Sequence, residues 1–167
     1  MRVCLDIETR KVPVDPPILS RDRPVTKRWQ PFMIGIVQVD NPNNSTVFLI
    51  EGNEEQIYKD LAMYLKAVKA TEIIYEATRK IGFDEAILKG IFINERRELL
   101  EKPGPWPHLA NAERYTWTNL RGYKRGDANP FGLSKLAPSA YEINPELVRD
   151  HCRWDVMSLY KRVRDVD

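Results

Sequence analysis

The chain opens on an alternation in which Val3, Leu5 and Ile7 point one way while Cys4, Asp6 and Glu8 point the other. A period of two is the signature of a strand, here over residues 3–9. Residues 33–40 and 46–51 are rich in Ile, Val and Phe and are joined by Asn41-Pro42-Asn43-Asn44-Ser45, which predicts a hairpin with a polar turn. The stretch between, residues 10–31, carries Pro13, Pro16, Pro17, Pro24 and Pro31. Proline removes a backbone donor and fixes φ, so five of them predict a long irregular loop there. Asn53, with Gln56 three residues on, reads as the start of a helix whose apolar face is Ile57, Leu61, Leu65 and Val68. Ile73-Ile74-Tyr75 is a short buried strand, and a second helix is expected over 83–93 with Ile87, Leu88 and Ile91 inward. Residues 102–132, rich in Pro, Gly and aromatics, are expected to be irregular. The last helix starts at Asn144 and Pro145, a cap and a first-turn proline, and its stripe runs to Val163. The order describes one α/β domain over 1–167, with a sheet mixing antiparallel and parallel strands and no internal repeat.

Composition changes this picture little. Hydrophobic residues at 43% and charged residues at 30% are ordinary for a soluble globular protein. No apolar run reaches the length of about 18 residues that a membrane helix needs. Asp6 interrupts any signal-peptide core, so a cytoplasmic protein is expected, with Cys4 and Cys152 reduced. A net charge of +2 does not by itself mark a nucleic-acid binder.

The candidate chemistry lies in misplaced carboxylates. Asp6 and Glu8, two apart on a strand, share a face with about 6.5–7 Å between their Cα atoms. Two like charges on a central hydrophobic strand repel, and burial raises the cost of ionising them unless a cation intervenes. On the strand alone, an edge position with this face in water explains the pair equally well. Asp155 shifts the balance, because Val148, Cys152, Asp155, Leu159 and Val163 form the buried stripe of the last helix. An acid in that stripe costs several kcal/mol unless paired or ligated. Its alternative partner is an arginine of the same helix, Arg149, Arg153 or Arg162. Asp84, at the start of the second helix, reads on its own as an acid stabilised by the helix dipole.

Three segments then carry a resemblance. Val3-Cys4-Leu5-Asp6-Ile7-Glu8-Thr9, Phe83-Asp84 and His151-Cys152-Arg153-Trp154-Asp155-Val156 are similar, in order and placement, to the three motifs of the DEDD 3'–5' exonucleases. The resemblance implies a ribonuclease-H-like fold, with a mixed sheet of about five strands and helices on both faces. It further implies that Asp6, Glu8, Asp84 and Asp155 bind two Mg²⁺ or Mn²⁺ ions for phosphodiester hydrolysis. Two departures stand out. One branch of that family has a tyrosine four residues before the last aspartate and the other a histidine five before it, whereas here His151 stands four before Asp155. At i and i+4 the two share a helix face, and an imidazole can take a proton from an attacking water, which makes His151 the candidate general base. It reads alternatively as a residue that orients a ligand. The asparagine that often precedes the second-motif aspartate is absent, leaving Thr78, Arg79 or Lys80 as substitutes.

Nucleic acid, with DNA and single strands preferred, is the expected partner. Residues 10–31 hold Arg10, Lys11, Arg21, Arg23, Lys27 and Arg28 against Asp15 and Asp22, directly after Glu8. Such cations bind phosphates, Trp29 is a candidate stacking platform, and Thr9 is a candidate contact to the terminal nucleotide. A second surface interleaves Arg114, Arg121, Lys124 and Arg125 with Trp106, Tyr115, Trp117, Tyr123 and Phe131. Both surfaces read alternatively as solvated loops over a small aromatic core, and for Trp106 and Phe131 the core reading leads. His108, with no partner at ligand spacing, is expected to be structural or exposed. Rival readings are an endonuclease or RNase of the same fold, a catalytically silent binding module, and a small-molecule hydrolase.

Overall fold

A computed structural model describes residues 1–20, 23–43, 46–77, 82–91, 99–120 and 136–166 of the chain. Its elements are β1 (Arg2–Ser20), β2 (Arg23–Gln38), β3 (Phe48–Glu51), α1 (Glu54–Ala67), β4 (Glu72–Tyr75), α2 (Phe83–Leu88), a short 3₁₀ turn at Ala112–Arg114, β5 (Thr116–Asn119), α3 (Ala137–Ile143) and α4 (Pro145–Val166). The five strands form one mixed sheet in the order β3-β2-β1-β4-β5. β2 runs antiparallel to β1 and β3, while β4 is parallel to both β1 and β5.

Alternation along β1 sorts the sheet into two packed faces. Val3, Leu5 and Ile7, with Ile34, Ile36 and Ile73, meet Ile57, Leu61 and Leu65 of α1 and Ala86 and Ile87 of α2. Cys4, Val37, Val39 and Ile74 meet Val156, Leu159 and Val163 of α4 on the opposite face. Phe32 and Met33 join Ala137 of α3 and Val148 and Cys152 of α4. Strand β1 is central through Cys4 and covered on both faces, so the face that carries Asp6 and Glu8 lies under α4 and not in open water, with Glu8 buried and Asp6 half-buried. No described helix is long and apolar enough to cross a membrane.

Local signals account for most boundaries. The Asn53 side chain accepts from the Gln56 backbone N–H at 2.9 Å, as an N-cap does. The Gln56 amide turns outward to Asp60 instead of reaching back, so the cap is one-sided. Asn144 closes α3 by donating to the Ala140 carbonyl, and its own carbonyl accepts from Leu147 in the first turn of α4.

Four expectations need correction. Residues 10–31 are not a loop, because β1 and β2 continue through them as a two-stranded ribbon. Beyond Cys4 and before Met33 these strands pair only with each other, so each offers an edge on which a missing proline N–H breaks no bond. A register shift between Pro13 and Ile18 takes up Pro16 and Pro17, and a second bulge leaves Phe32 unpaired opposite Glu8 and Thr9. Helix α2 stops at Leu88 instead of reaching residue 93. Gly90 adopts φ +72° and ends it with bonds from Gly90 to Ile87 and from Ile91 to Ala86. The segment read as irregular at 102–132 contains the 3₁₀ turn and β5 in its described part. Helix α3 carries no strong periodic signal in its seven residues and was not expected.

Candidate active site

The site is built where β1 passes under α4. Register places Gly35 of β2 opposite Asp6, and there the two elements come unusually close. A Cβ on Gly35 would lie 2.8 Å from both Cys152 Sγ and Val156 Cγ2. Only glycine at this position lets α4 settle onto the strand that carries the acids. A Gly35→Ala variant is expected to lose about 1–3 kcal/mol, the usual cost of overpacking a tight contact. Its denaturant midpoint should fall with an unchanged slope, and Cys152→Ala in the same chain should recover part of the loss.

On this face the acids meet α4. Glu8 is 4% exposed, Asp155 7% and His151 1%. Imidazole Nε2 of His151 lies 3.1 Å from Asp155 Oδ2 and 3.5 Å from Glu8 Oε1. Donor atoms of Glu8, His151 and Asp155 all lie within 4.8 Å of one another, and those of Asp6, Glu8 and Cys152 do the same. Glu8 belongs to both groups and links them. The arginines that offered Asp155 another partner are engaged elsewhere in two cases. Arg149 binds Glu51 of β3 and Glu146, and Arg153 binds Glu146 and Asp150.

Cys152 is the member the sequence reading missed as a site residue. It lies on the same stripe as Asp155, three residues earlier, and that spacing was the available signal. Burial, followed by the nearby carboxylates of Asp6, Glu8 and Asp155, pushes its thiol well above the ordinary range, against one opposing hydrogen bond from the Gly35 backbone. The sulfur therefore stays protonated and unreactive at neutral pH. Iodoacetamide at pH 8 is expected to leave Cys4 and Cys152, both buried, unmodified in the native protein and to label both after unfolding. Rapid labelling of native Cys152 would contradict the packing described.

Asp84 is 6% exposed, in the first turn of α2, and lies outside both 4.8 Å groups. Its neighbour Phe83 meets the Trp29 ring edge-on at 5.5 Å, which sets the start of α2 beside the base of the ribbon.

The residues singled out for nucleic acid are placed as follows. Thr9 is half-buried at the bulge, and Arg10 and Lys11 are exposed just beyond it. The Arg10 guanidinium lies 5.4 Å from the centroid of the Phe32 ring, and Lys11 Nζ lies 5.2 Å from that of its cross-strand partner Trp29. Arg28 turns inward. Its two terminal nitrogens donate to the Glu54 carboxylate at 2.7 and 2.6 Å, and its plane lies 5.1 Å over Trp106. Trp106 thus belongs to a small satellite core with Val14, Val25, Ile18 and Leu100. Trp117, in β5, packs against Tyr75 in the main core. His108 is exposed, with Nδ1 3.1 Å from the Trp106 carbonyl. Thr78, Arg79, Lys80, Arg121, Tyr123, Lys124, Arg125 and Phe131 lie outside the described residues.

Oxygen-rich donors of this kind suit a hard divalent ion. Asp6, Glu8 and Asp155 could hold such an ion by chemistry, with Glu8 close to Asp6 in one group and to Asp155 in the other. No protein-family model matches the chain, and no curated protein matches it.

Proposed function

We propose that the chain is a metal-dependent 3'–5' exonuclease of ribonuclease-H-like fold, acting on nucleic acid with DNA the preferred substrate. One observation carries the reading: Glu8 of β1 and Asp155 of α4, far apart in sequence, are buried together beside the imidazole of His151, with Asp6 close to Glu8. Carboxylate oxygens gathered in this way from two elements suit a hard divalent cation. The mixed five-stranded sheet with helices on both faces supports the fold at the level of architecture.

In this reading Asp6, Glu8 and Asp155 hold Mg²⁺ or Mn²⁺, and Asp84 completes the set on the strength of the motif resemblance. Bound ions of this kind activate water and stabilise the leaving oxygen in phosphodiester cleavage. The chain's own contribution is to hold the carboxylates rigidly, through the close packing at Gly35, and to exclude bulk water from one side of the site. Thr9, half-buried at the bulge that follows Glu8, is assigned the contact to the terminal nucleotide. His151 keeps Asp155 and Glu8 oriented through Nε2. It acts as a general base only once that nitrogen, or Nδ1, is turned to a water.

That engagement of Nε2 also favours a second reading, a silent nucleic-acid-binding module in which His151 occupies the acids in place of an ion. A 5'-labelled oligonucleotide incubated with Mg²⁺ or Mn²⁺ separates the two. The exonuclease reading expects a ladder shortening from the 3' end that vanishes in Asp6→Ala. Tight binding without cleavage in either metal selects the silent module, and internal cuts select an endonuclease.

A further inference from the structure

The ribbon leaving the site has a charge that the rest of the chain does not share, and it is clamped along its length. Residues 10–31 hold six cationic and two acidic side chains, a net +4 against +2 for the whole chain, so the remaining residues sum to −2. All of the protein's excess positive charge therefore sits on one projecting element. That element begins one residue after Glu8 and runs to Ser20 before returning from Arg23. At about 3.3 Å per residue, the twelve residues 9–20 reach on the order of 35–40 Å, close to one turn of a duplex.

Its rigidity has visible causes. Arg28 is clamped by Glu54 of α1, with Gln30 donating to the same carboxylate. Val14 and Val25 pack with Leu100 and Trp106 further out. With Arg28 occupied, the exposed cations among the described residues of the ribbon are Arg10, Lys11, Arg23 and Lys27. Lys11 pairs with Trp29 and Pro13 with Lys27, so Lys11 and Lys27 are diagonal neighbours on one side. The ribbon's aromatic rings are poor stacking platforms. Phe32 is 2% exposed and capped by Arg10, and Trp29 is half-buried, with Lys11 over its ring and Phe83 at 5.5 Å. A single strand is gripped by stacking as well as by charge, whereas a duplex is gripped through its phosphates.

We propose that residues 9–30 form a rigid arm that binds the phosphate backbone of a nucleic-acid duplex through Lys11, Arg23, Lys27 and Arg10, beside a site that takes the 3'-terminal nucleotides. The arm deepens the nuclease reading by naming the form of the substrate behind the cleaved end, and the link to a 3' end rests on that reading. Binding to the arm does not require cleavage.

The test uses the full chain in EDTA with fluorescein-labelled 20-base-pair DNA and RNA duplexes and the corresponding DNA single strand, read by anisotropy across salt. The wild type is expected to bind a duplex more tightly than the single strand. A Lys11→Gln/Arg23→Gln/Lys27→Gln variant, all at exposed positions, should bind the duplex at least tenfold more weakly. Its slope of log affinity against log salt should be shallower by roughly 2–3, one counterion per lost contact. Lys66→Gln, an exposed change on α1 away from the ribbon, should leave both unchanged. Preference between DNA and RNA duplexes assigns the source of the phosphates, and binding of either supports the arm. Equal slopes in wild type and triple variant, tighter binding of the single strand, or no duplex binding overturns it. Loss of the 3' ladder with this binding intact overturns only the nuclease reading, and the converse result overturns only the arm.

Discussion

Asp155→Asn is expected to abolish metal-dependent shortening of an oligonucleotide, lowering the rate more than about 100-fold, beyond the 10- to 100-fold typical for groups that merely orient a ligand. The substitution keeps the size of the side chain and one carbonyl oxygen for His151, so folding is not the expected casualty. In the proposed reading it removes one of the carboxylates that hold the divalent ion. A second readout is independent of turnover. An ion that binds only the folded chain at 100 times its dissociation constant adds about 2.7 kcal/mol of stability. For a chain of this length that corresponds to roughly 5–10 °C in Tm. Mn²⁺ should therefore raise the melting temperature of the wild type by several degrees and that of Asp155→Asn by much less. An equal rise in both proteins would remove Asp155 from the ligand set, and no rise in either would remove the ion.

The largest expected effect on stability lies away from the acids, at Glu54. This carboxylate is also buried, yet it is satisfied in the ordinary way by Arg28 and Gln30, with side-chain exposures of 7% for Glu54 and 11% for Arg28. Glu54→Leu leaves the Arg28 guanidinium buried without its counter-charge, and breaking such a pair costs about 3–5 kcal/mol. Adding Arg28→Met should recover most of that loss, because a buried pair replaced as a whole by apolar groups of similar volume is close to neutral. In the single variant, amide hydrogen exchange should accelerate along residues 10–31 before the rest of the sheet, since this clamp holds the ribbon to α1. A single variant as stable as the wild type would show that the clamp carries no net energy. Glu54 also serves as a comparison for the site: this buried acid is paired with arginine, whereas Glu8 and Asp155 lie beside an imidazole and close to each other.

Much of the architecture was legible because it is written in local periodicity. The alternation around Leu5, the cap at Asn53, the stripe Ile57–Leu61–Leu65 and the long helix after Asn144 all depend on neighbours within a few residues, and each lies where that pattern put it. The ribbon was misread for the same reason in reverse. Proline statistics describe strands with two partners, and whether residues 10–31 have one partner or two is decided by strands elsewhere in the chain. β5 and α3 are too short for their periods to register, and packing on Tyr75, Met33 and α4 holds them in place.

At the site, residue spacing alone determined that Asp6 and Glu8 share a strand face and that His151 and Asp155 share a helix face, because both relations follow from the rise and twist of one element. Tertiary structure decided the rest. It turned those two faces toward each other, through a glycine whose missing Cβ admits α4, and it drew Cys152 in beside the acids. It also took Arg28 away from the proposed nucleic-acid surface and gave it to Glu54. Which charges are buried together depends on which elements pack, and no local pattern carries that.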